Sequence, residues 1–173
     1  EDVETLGVTN VICTDKTGTL TEDKMKIHTI ALEKQLIESI HSQETHFFSK
    51  LKQKSNFDLL VLTGVLCNDV KLSSQERHGD SIDLSLLDFA ERIGYDLKSI
   101  RNNNPEILKI PFNTKNKMMI TAHSNRDGYC IYMKGAFENV ITHCNMILRN
   151  EQSELFDTKE EWFHKVNELA SKG

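Results

Sequence analysis

The sequence predicts an α+β fold in which an antiparallel sheet is flanked by helices and is preceded by one strand and loop of another domain. Three extended apolar segments follow one another between residues 106 and 134, with helical patterns on both sides. Residues 8–13 form a compact apolar run that leads to Asp15, as a buried parallel strand leads to a functional loop. We therefore expect residues 1–26 to begin one domain and residues 27–173 to form another, incomplete at its C-terminal end.

Composition and charge favour a soluble, monomeric globular piece. The net charge of -5 provides no general attraction to nucleic acid or to an anionic membrane surface, so no nucleic-acid partner is expected. The longest apolar stretch, at residues 59–67, is much shorter than the ~20 residues that span a bilayer. The four cysteines lack zinc-site spacing and fit free thiols in a reducing, cytosolic environment.

The first half of the larger domain mixes strand and helix patterns. Residues 27–32 are typical of a strand, and residues 33–55 are polar and mixed, which fits a partly helical segment. Residues 57–69 are apolar on every side, which predicts a buried helix.

Residues 79–94 give a clearer helical pattern. Apolar residues recur there at helical spacing, and Asp80 or Ser81 can act as the N-cap. Gly94 is expected to end the helix.

The second half predicts a meander of three strands followed by helices. Residues 124–128, SNRDG, are polar and end in glycine, which predicts a hairpin turn between the last two strands. The strands are predicted at residues 106–112, 117–123 and 129–134, and the helices at residues 136–144 and 158–173.

The stretch VICTDKTGTLT, at residues 11–21, carries the clearest chemistry. A carboxylate such as Asp15 can attack the γ-phosphorus of ATP and form an acyl phosphate, provided that positive charge and hydrogen-bond donors offset phosphate repulsion. Lys16 supplies a charge, Thr17 supplies a hydroxyl, and Gly18 permits a tight backbone path around an anion. A short D-K-T sequence by itself would favour a solvated turn without chemistry, whereas the full stretch at residues 11–21 favours the phosphate acceptor.

The heptapeptide DKTGTLT at residues 15–21 is identical to the phosphorylation signature of P-type ATPases, and its flanks resemble those of calcium and sodium pumps. The resemblance implies that ATP phosphorylates Asp15, with Asp15 holding Mg²⁺ together with residues that lie downstream of this chain. It also implies an integral membrane protein that carries a cation through membrane helices not included here, with the present portion on the cytosolic side. The lead-in is most similar to calcium pumps, so Ca²⁺ is the first expectation, and Na⁺, K⁺ and H⁺ stay open.

A soluble phosphatase of the haloacid-dehalogenase type is the alternative, with residues 25–173 as a substrate-selecting cap. The signature of such phosphatases is D-x-D, in which the second carboxylate acts as a general acid/base. Thr17 occupies that position here and cannot act as a base at neutral pH, so a phosphate on Asp15 is expected to persist. Persistence suits a pump, which changes conformation before it loses the phosphate.

Four later stretches resemble the nucleotide-binding domain of the same pumps: LCND at 66–69, GDSIDLSLL at 79–87, IPFNTKNKMM at 110–119 and MKGAFE at 133–138. The resemblance implies that Phe112 stacks on adenine. It implies that Lys117 and Lys134 meet the phosphates or line the pocket, and that Gly135 allows close approach. Asp83 takes the register of a family glutamate that accepts from the adenine amino group, and is one methylene shorter.

Each of these residues also has an ordinary explanation when it is taken singly. Phe112 after Pro111 fits a core position, the two lysines fit solvated surface charges, and Asp83 suits the first turn of a helix. The joint order of the phosphorylation loop and the four stretches favours the nucleotide pocket. We expect the chain to bind ATP or ADP weakly and to turn over poorly or not at all. A degenerate interaction module without nucleotide binding is the third possibility.

Overall fold

The computed structural model describes residues 14, 21, 24–33, 35–38, 40, 45–72, 77–125, 128–149 and 151–172. Asp15, Lys16 and Thr17 lie outside the described residues, and so does the predicted strand at 8–13. The described part is an α+β assembly, as the sequence predicts. Its elements are, in chain order, β1 (Ile30–Ala31), β2 (Leu36–Ile37), α1 (Thr45–Leu51), α2 (Ser55–Leu66), α3 (Ser81–Arg92), α4 (Leu97–Asn103), β3 (Glu106–Asn113), β4 (Met118–Asn125), β5 (Gly128–Gly135), α5 (Phe137–Val140), β6 (Met146–Arg149), β7 (Gln152–Leu155) and α6 (Lys159–Ser171).

The main core lies among the helices α1–α4. Phe48 of α1 stacks on Phe57 of α2 with ring centroids 6.3 Å apart, and meets Phe89 of α3 edge-on at 5.6 Å. Phe48 and Phe57 are fully buried, and rings in these geometries contribute beyond their buried area. The helical pattern of residues 79–94 therefore reflects a face of α3 that packs into this aromatic cluster.

The ends of α3 follow the sequence signals. The Asp80 carboxylate accepts a hydrogen bond from the Ile82 N–H at 2.9 Å, so Asp80 is the N-cap. Gly94 has φ +86° and its N–H donates to the Glu91 carbonyl, which ends the helix as predicted. The adjoining Tyr95 hydroxyl donates to Asp58 of α2 at 2.6 Å and links the two helices.

The three central strands form an antiparallel meander in the order β3-β4-β5. The predicted hairpin is confirmed, since β4 and β5 pair as far as Asn125 and Gly128. One face of the sheet packs on the helices, because Met119, Thr121 and His123 of β4 are all buried. The other face is apolar and exposed in the described part of the chain, with Leu108, Ile110 and Ile131 at 59%, 50% and 72% exposure.

Several elements differ from the sequence prediction. Helix α2 ends at Leu66 rather than at residue 69, and the helix expected at 136–144 is a short α5 followed by a 3₁₀ turn, Ile141–His143. Helix α4 and the β6–β7 hairpin were not predicted. Helix α4 begins at an N-cap, Asp96, whose carboxylate accepts from the Ser99 N–H at 3.0 Å. Among the described residues, none of the helices has the length and apolarity needed to cross a membrane.

Candidate functional site

Four of the five residues predicted to bind nucleotide meet at one end of the central sheet. The cross-strand register runs from Asn113 through Met118 to Gly135. Phe112, Lys117 and Lys134 are the residues immediately before Asn113, Met118 and Gly135 in the sequence. Neighbouring strands lie about 4.8 Å apart, so Phe112 and Lys134 are separated by roughly two strand spacings.

Phe112 lies near the end of β3, where the β3–β4 register is irregular between Ile110 and Asn113. Its ring is not part of the core, since Phe112 is 56% exposed. The ordinary explanation of Phe112 as a core residue is therefore wrong for this structure. An exposed ring at a strand end offers a flat apolar face to a ligand.

Lys117 closes the turn between β3 and β4 in an unusual backbone conformation. Its φ is +50°, the left-handed region that residues with a side chain adopt at a cost. The Lys117 N–H donates to the Asn113 carbonyl at 2.6 Å, which holds the turn closed. The Lys117 ammonium is 3.7 Å from Glu138 and both side chains are more than half exposed, so this ion pair contributes little to stability.

Gly135 allows β5 to approach the Lys117 turn closely. A Cβ atom at residue 135 would lie 2.3 Å from the Lys117 carbonyl oxygen and 2.8 Å from the Met118 Cα. The same carbonyl accepts a hydrogen bond from the Ala136 N–H at 2.9 Å. Glycine is therefore required here by contact with neighbouring backbone.

Asp83 joins the site through an ion pair with Lys134. Asp83 lies in the first turn of α3, and its Oδ1 accepts from the Lys134 ammonium on β5. Its Oδ2 accepts from the backbone N–H of Asp69 at 2.8 Å. The side chains of Lys134 and Asp83 are only 19% and 7% exposed, so the pair is largely removed from water. Removal of either residue would leave the charge of the other buried without a partner, which destabilises the fold.

The motif resemblance assigns no role to an individual residue of the LCND stretch at 66–69. The structure shows that it supplies a backbone donor to Asp83, at Asp69. The signal was present as an Asn-Asp sequence directly after an apolar helical run, because such residues favour turns with local side-chain hydrogen bonds.

A cavity of about 450 Å³ adjoins the end of β5. Lys134 and Gly135 line it together with mainly apolar side chains that include Leu60, Leu86, Met133 and Phe137. Its size lies within the range of small-molecule sites. The end of the sheet thus combines an exposed aromatic ring, two ammonium groups and an adjoining apolar recess.

This combination suits a ligand with a planar ring and an anionic part. The ring can stack on Phe112, and Lys117 and Lys134 can attract phosphate or carboxylate oxygens. In the residues that the structure describes, no three acidic, histidine or cysteine side chains are close enough to hold a metal ion. The predicted metal ligand Asp15 lies outside those residues.

Comparisons with known proteins identify the family of this chain. A family model described as "P-type ATPase, cytoplasmic domain N" matches residues 56–173. The sodium/potassium-transporting ATPase subunit alpha of Hydra vulgaris is 34% identical over 100% of this chain and 18% of its own length. Calcium-transporting ATPase 1 of Lactococcus lactis is 33% identical over 98% of this chain and 18% of its own length.

The chain therefore spans less than a fifth of the length of these relatives. The matched residues 56–173 include all five residues predicted to bind nucleotide. On this basis the chain belongs to the P-type cation-transporting ATPases and contains their cytoplasmic domain N.

Proposed function

We propose that this chain is the nucleotide-binding part of a pump that uses ATP to move a cation across a membrane. The observation that carries the proposal is the convergence of Phe112, Lys117, Lys134 and Gly135 on one end of the sheet. Family membership supports the use of ATP, because the relatives named above are ATPases. The activity of the whole protein is part of the proposal, since the chain covers only a small share of its relatives.

The proposed roles follow from the chemistry of each side chain. Phe112 stacks on the base, because its ring is exposed at the strand end. Lys117 and Lys134 attract the phosphates as cations. Gly135 has no side chain, so β5 can lie close to the Lys117 turn. The shallow, exposed position of Phe112 fits weak binding.

Asp83 is proposed to contribute through Lys134, because both of its carboxylate oxygens already have partners within the chain. Its predicted contact with the adenine amino group would require one of these oxygens to accept a further hydrogen bond. Relative affinity for ATP and GTP measures this contact, since a polar contact to the base discriminates strongly between nucleotides. A chain that binds both equally would limit Asp83 to holding Lys134.

Phosphoryl transfer is proposed to occur at Asp15 in the whole protein, with Lys16 offsetting phosphate repulsion. Thr17 leaves the site without a second carboxylate, which favours a persistent phosphate. Mg²⁺, which would enter with ATP, suits the hard oxygen ligand that Asp15 offers and would neutralise phosphate charge. Ca²⁺ stays the first prediction for the ion carried, from the lead-in sequence, and Na⁺, K⁺ and H⁺ stay open.

Titration of the chain with ATP and ADP by calorimetry tests the nucleotide site. Phe112→Ala is expected to weaken binding by about 1–3 kcal/mol, the usual contribution of a base stacked on an aromatic ring. Ile107→Ala is the matched control, because Ile107 lies on the same strand and is 54% exposed. Equal affinities for Phe112→Ala and the unsubstituted chain would contradict the proposed pocket.

The alternatives make different predictions in the same preparation. A soluble phosphatase would hydrolyse a small phosphate ester such as p-nitrophenyl phosphate, and substitution of Asp15 by Asn would abolish that activity. A chain that neither binds nucleotide nor hydrolyses the ester would fit an interaction module. The proposed function requires nucleotide binding without ester hydrolysis.

A further inference from the structure

We propose that Asn68 is a positioning residue that sets the geometry of the Asp83–Lys134 ion pair, a role that rests on the nucleotide site proposed above. Asn68 lies in the turn that follows α2 and is 3% exposed. It does not belong to the sheet-end site itself. Its side chain acts on that site through the first turn of α3.

The Asn68 carboxamide uses both of its donors and its acceptor within the chain. Its Nδ2 donates to the Gly64 carbonyl at 3.0 Å and to the Asp83 carbonyl at 2.9 Å. Its Oδ1 accepts from the Val70 N–H at 3.0 Å. The buried Asn68 side chain therefore connects the end of α2 to the turn and to α3. Both of its polar atoms have hydrogen-bond partners.

This arrangement places the backbone N–H of Asp69 next to the Asp83–Lys134 ion pair. The Asp69 N–H donates to Asp83 Oδ2 at 2.8 Å, while Asp83 Oδ1 accepts from Lys134. Asp83 is thus held twice by one turn, at its backbone carbonyl by the Asn68 side chain and at its carboxylate by the Asp69 backbone. The two contacts restrict the carboxylate to an orientation that presents Oδ1 to Lys134.

The turn is anchored independently of Asn68. The Arg101 guanidinium of α4 donates to the Val65 carbonyl at 3.1 Å and to the Val70 carbonyl at 2.6 Å, so it spans the turn from the other side. Loss of the Asn68 side chain would leave these bonds in place. It removes the side-chain bonds to Gly64 and Val70, and it removes the bond to the Asp83 carbonyl, which is one of the two contacts between the turn and Asp83.

The position of the Lys134 ammonium depends on this link. A lysine side chain has four rotatable bonds, and ordering it without a fixed partner costs conformational entropy. A fixed Asp83 carboxylate holds the ammonium at the end of β5 before the ligand arrives, which lowers the cost of binding. Asn68 therefore affects nucleotide affinity only through Lys134.

The test compares Asn68→Ala with Asn104→Ala in calorimetric titrations with ADP, at a temperature where both variants are folded. Asn104 is a matched control, because its Nδ2 donates to the Ile100 carbonyl four residues earlier at 2.8 Å, as Asn68 does to Gly64. Asn68→Ala is expected to raise the Kd about tenfold, and Asn104→Ala to leave it unchanged. In a Lys134→Met background, Asn68→Ala is expected to change the Kd by less than about twofold, because contacts that act through one group are not additive.

Amide hydrogen exchange gives a second readout that needs no ligand. The Asp69 N–H is expected to exchange slowly in the unsubstituted chain and at least about tenfold faster in Asn68→Ala, because its acceptor is no longer held in place. Exchange at Asp69 in Asn104→Ala is expected to match the unsubstituted chain. Unchanged protection of Asp69 in folded Asn68→Ala would overturn the proposed geometry.

The outcomes separate this role from the proposed function. Should the unsubstituted chain bind no nucleotide, the proposed function fails and the role of Asn68 in binding fails with it. Should the unsubstituted chain bind, Lys134→Met lose affinity and folded Asn68→Ala keep the original Kd, only the role of Asn68 is overturned. The same holds when Asn68→Ala raises the Kd equally with and without Lys134, because that result indicates a general structural effect.

Discussion

Lys134 of β5 and Asp83 of α3 form an ion pair although 51 positions separate them in the sequence. The pair connects the sheet to the helical core, and its two side chains are 19% and 7% exposed. Its position makes Asp83 both a structural partner and a member of the proposed nucleotide site. Stability and ligand binding are therefore expected to respond together when either residue is replaced.

Asp83→Asn is expected to lower the free energy of unfolding by about 2–4 kcal/mol, because it leaves the Lys134 ammonium without its carboxylate in a mostly buried position. Urea unfolding measures the change. Glu138→Gln is the control, since it removes the exposed partner of Lys117 and is expected to cost about 0.5 kcal/mol or less. Similar losses for the two variants would contradict the buried character of the Asp83–Lys134 pair.

Gly135→Ala is expected to destabilise the protein by about 2 kcal/mol or more, since its Cβ would overlap the Lys117 carbonyl oxygen, which is backbone and cannot move aside. Gly64→Ala offers a comparison within α2. A Cβ there would lie 3.3 Å from Leu86 Cδ2, which can shift, and alanine favours the helix. Thermal unfolding of both variants checks the prediction, which fails if Gly135→Ala is as stable as Gly64→Ala.

Lys117→Gly is expected to change stability and binding in opposite directions. Glycine adopts φ +50° without steric cost, so the free energy of unfolding is expected to rise by up to about 1 kcal/mol. The same change removes an ammonium from the proposed phosphate site, so the affinity for ATP is expected to fall. Lys117→Gln separates the two effects, because it loses the charge but keeps the strained backbone. Unchanged ATP affinity in both variants would exclude Lys117 from the site.

Cys67 is expected to react slowly with iodoacetamide in the folded protein. Burial raises the pKa of the Cys67 thiol, and its Sγ lies 3.4 Å from the Met119 carbonyl oxygen, so little thiolate is present at pH 8 and access is blocked. Cys130 and Cys144 are only partly buried and serve as internal references. Mass spectrometry of the alkylated peptides at increasing times measures the three rates. Faster alkylation of Cys67 than of Cys130 would contradict the packing of β4 on α2.

Much of the secondary structure could be predicted, because its signals are local. Helix α3 carries a capping aspartate at one end and Gly94 at the other, and the β4–β5 hairpin carries turn residues between apolar runs. The β6–β7 hairpin was missed because its turn includes Glu151 at φ +67°, where glycine or asparagine is usual. Helix α4 was missed because it is seven residues long and mostly polar, which leaves only a short apolar period.

The candidate site could be predicted as a set of residues but not as an arrangement. Resemblance to pump motifs identified Phe112, Lys117 and Lys134 together, whereas single-residue reasoning favoured a buried Phe112 that the structure shows to be exposed. The pairing of Lys134 with Asp83 depends on how α3 packs on the sheet, and no sequence periodicity reports that contact. The Asn-Asp sequence at residues 68–69 indicates a turn, but it does not indicate that the Asp69 N–H donates to Asp83.

The register that aligns Asn113, Met118 and Gly135 has a consequence for how the protein could be divided. The proposed contacts for base and phosphates come from α3, from β3 and β5, and from the turn between β3 and β4. Each of these elements carries too few contacts to hold a ligand. A peptide that ends within the β4–β5 hairpin would lack Lys134, and one that begins there would lack Phe112 and Asp83. Nucleotide binding would therefore report whether the two halves of the chain have folded against each other.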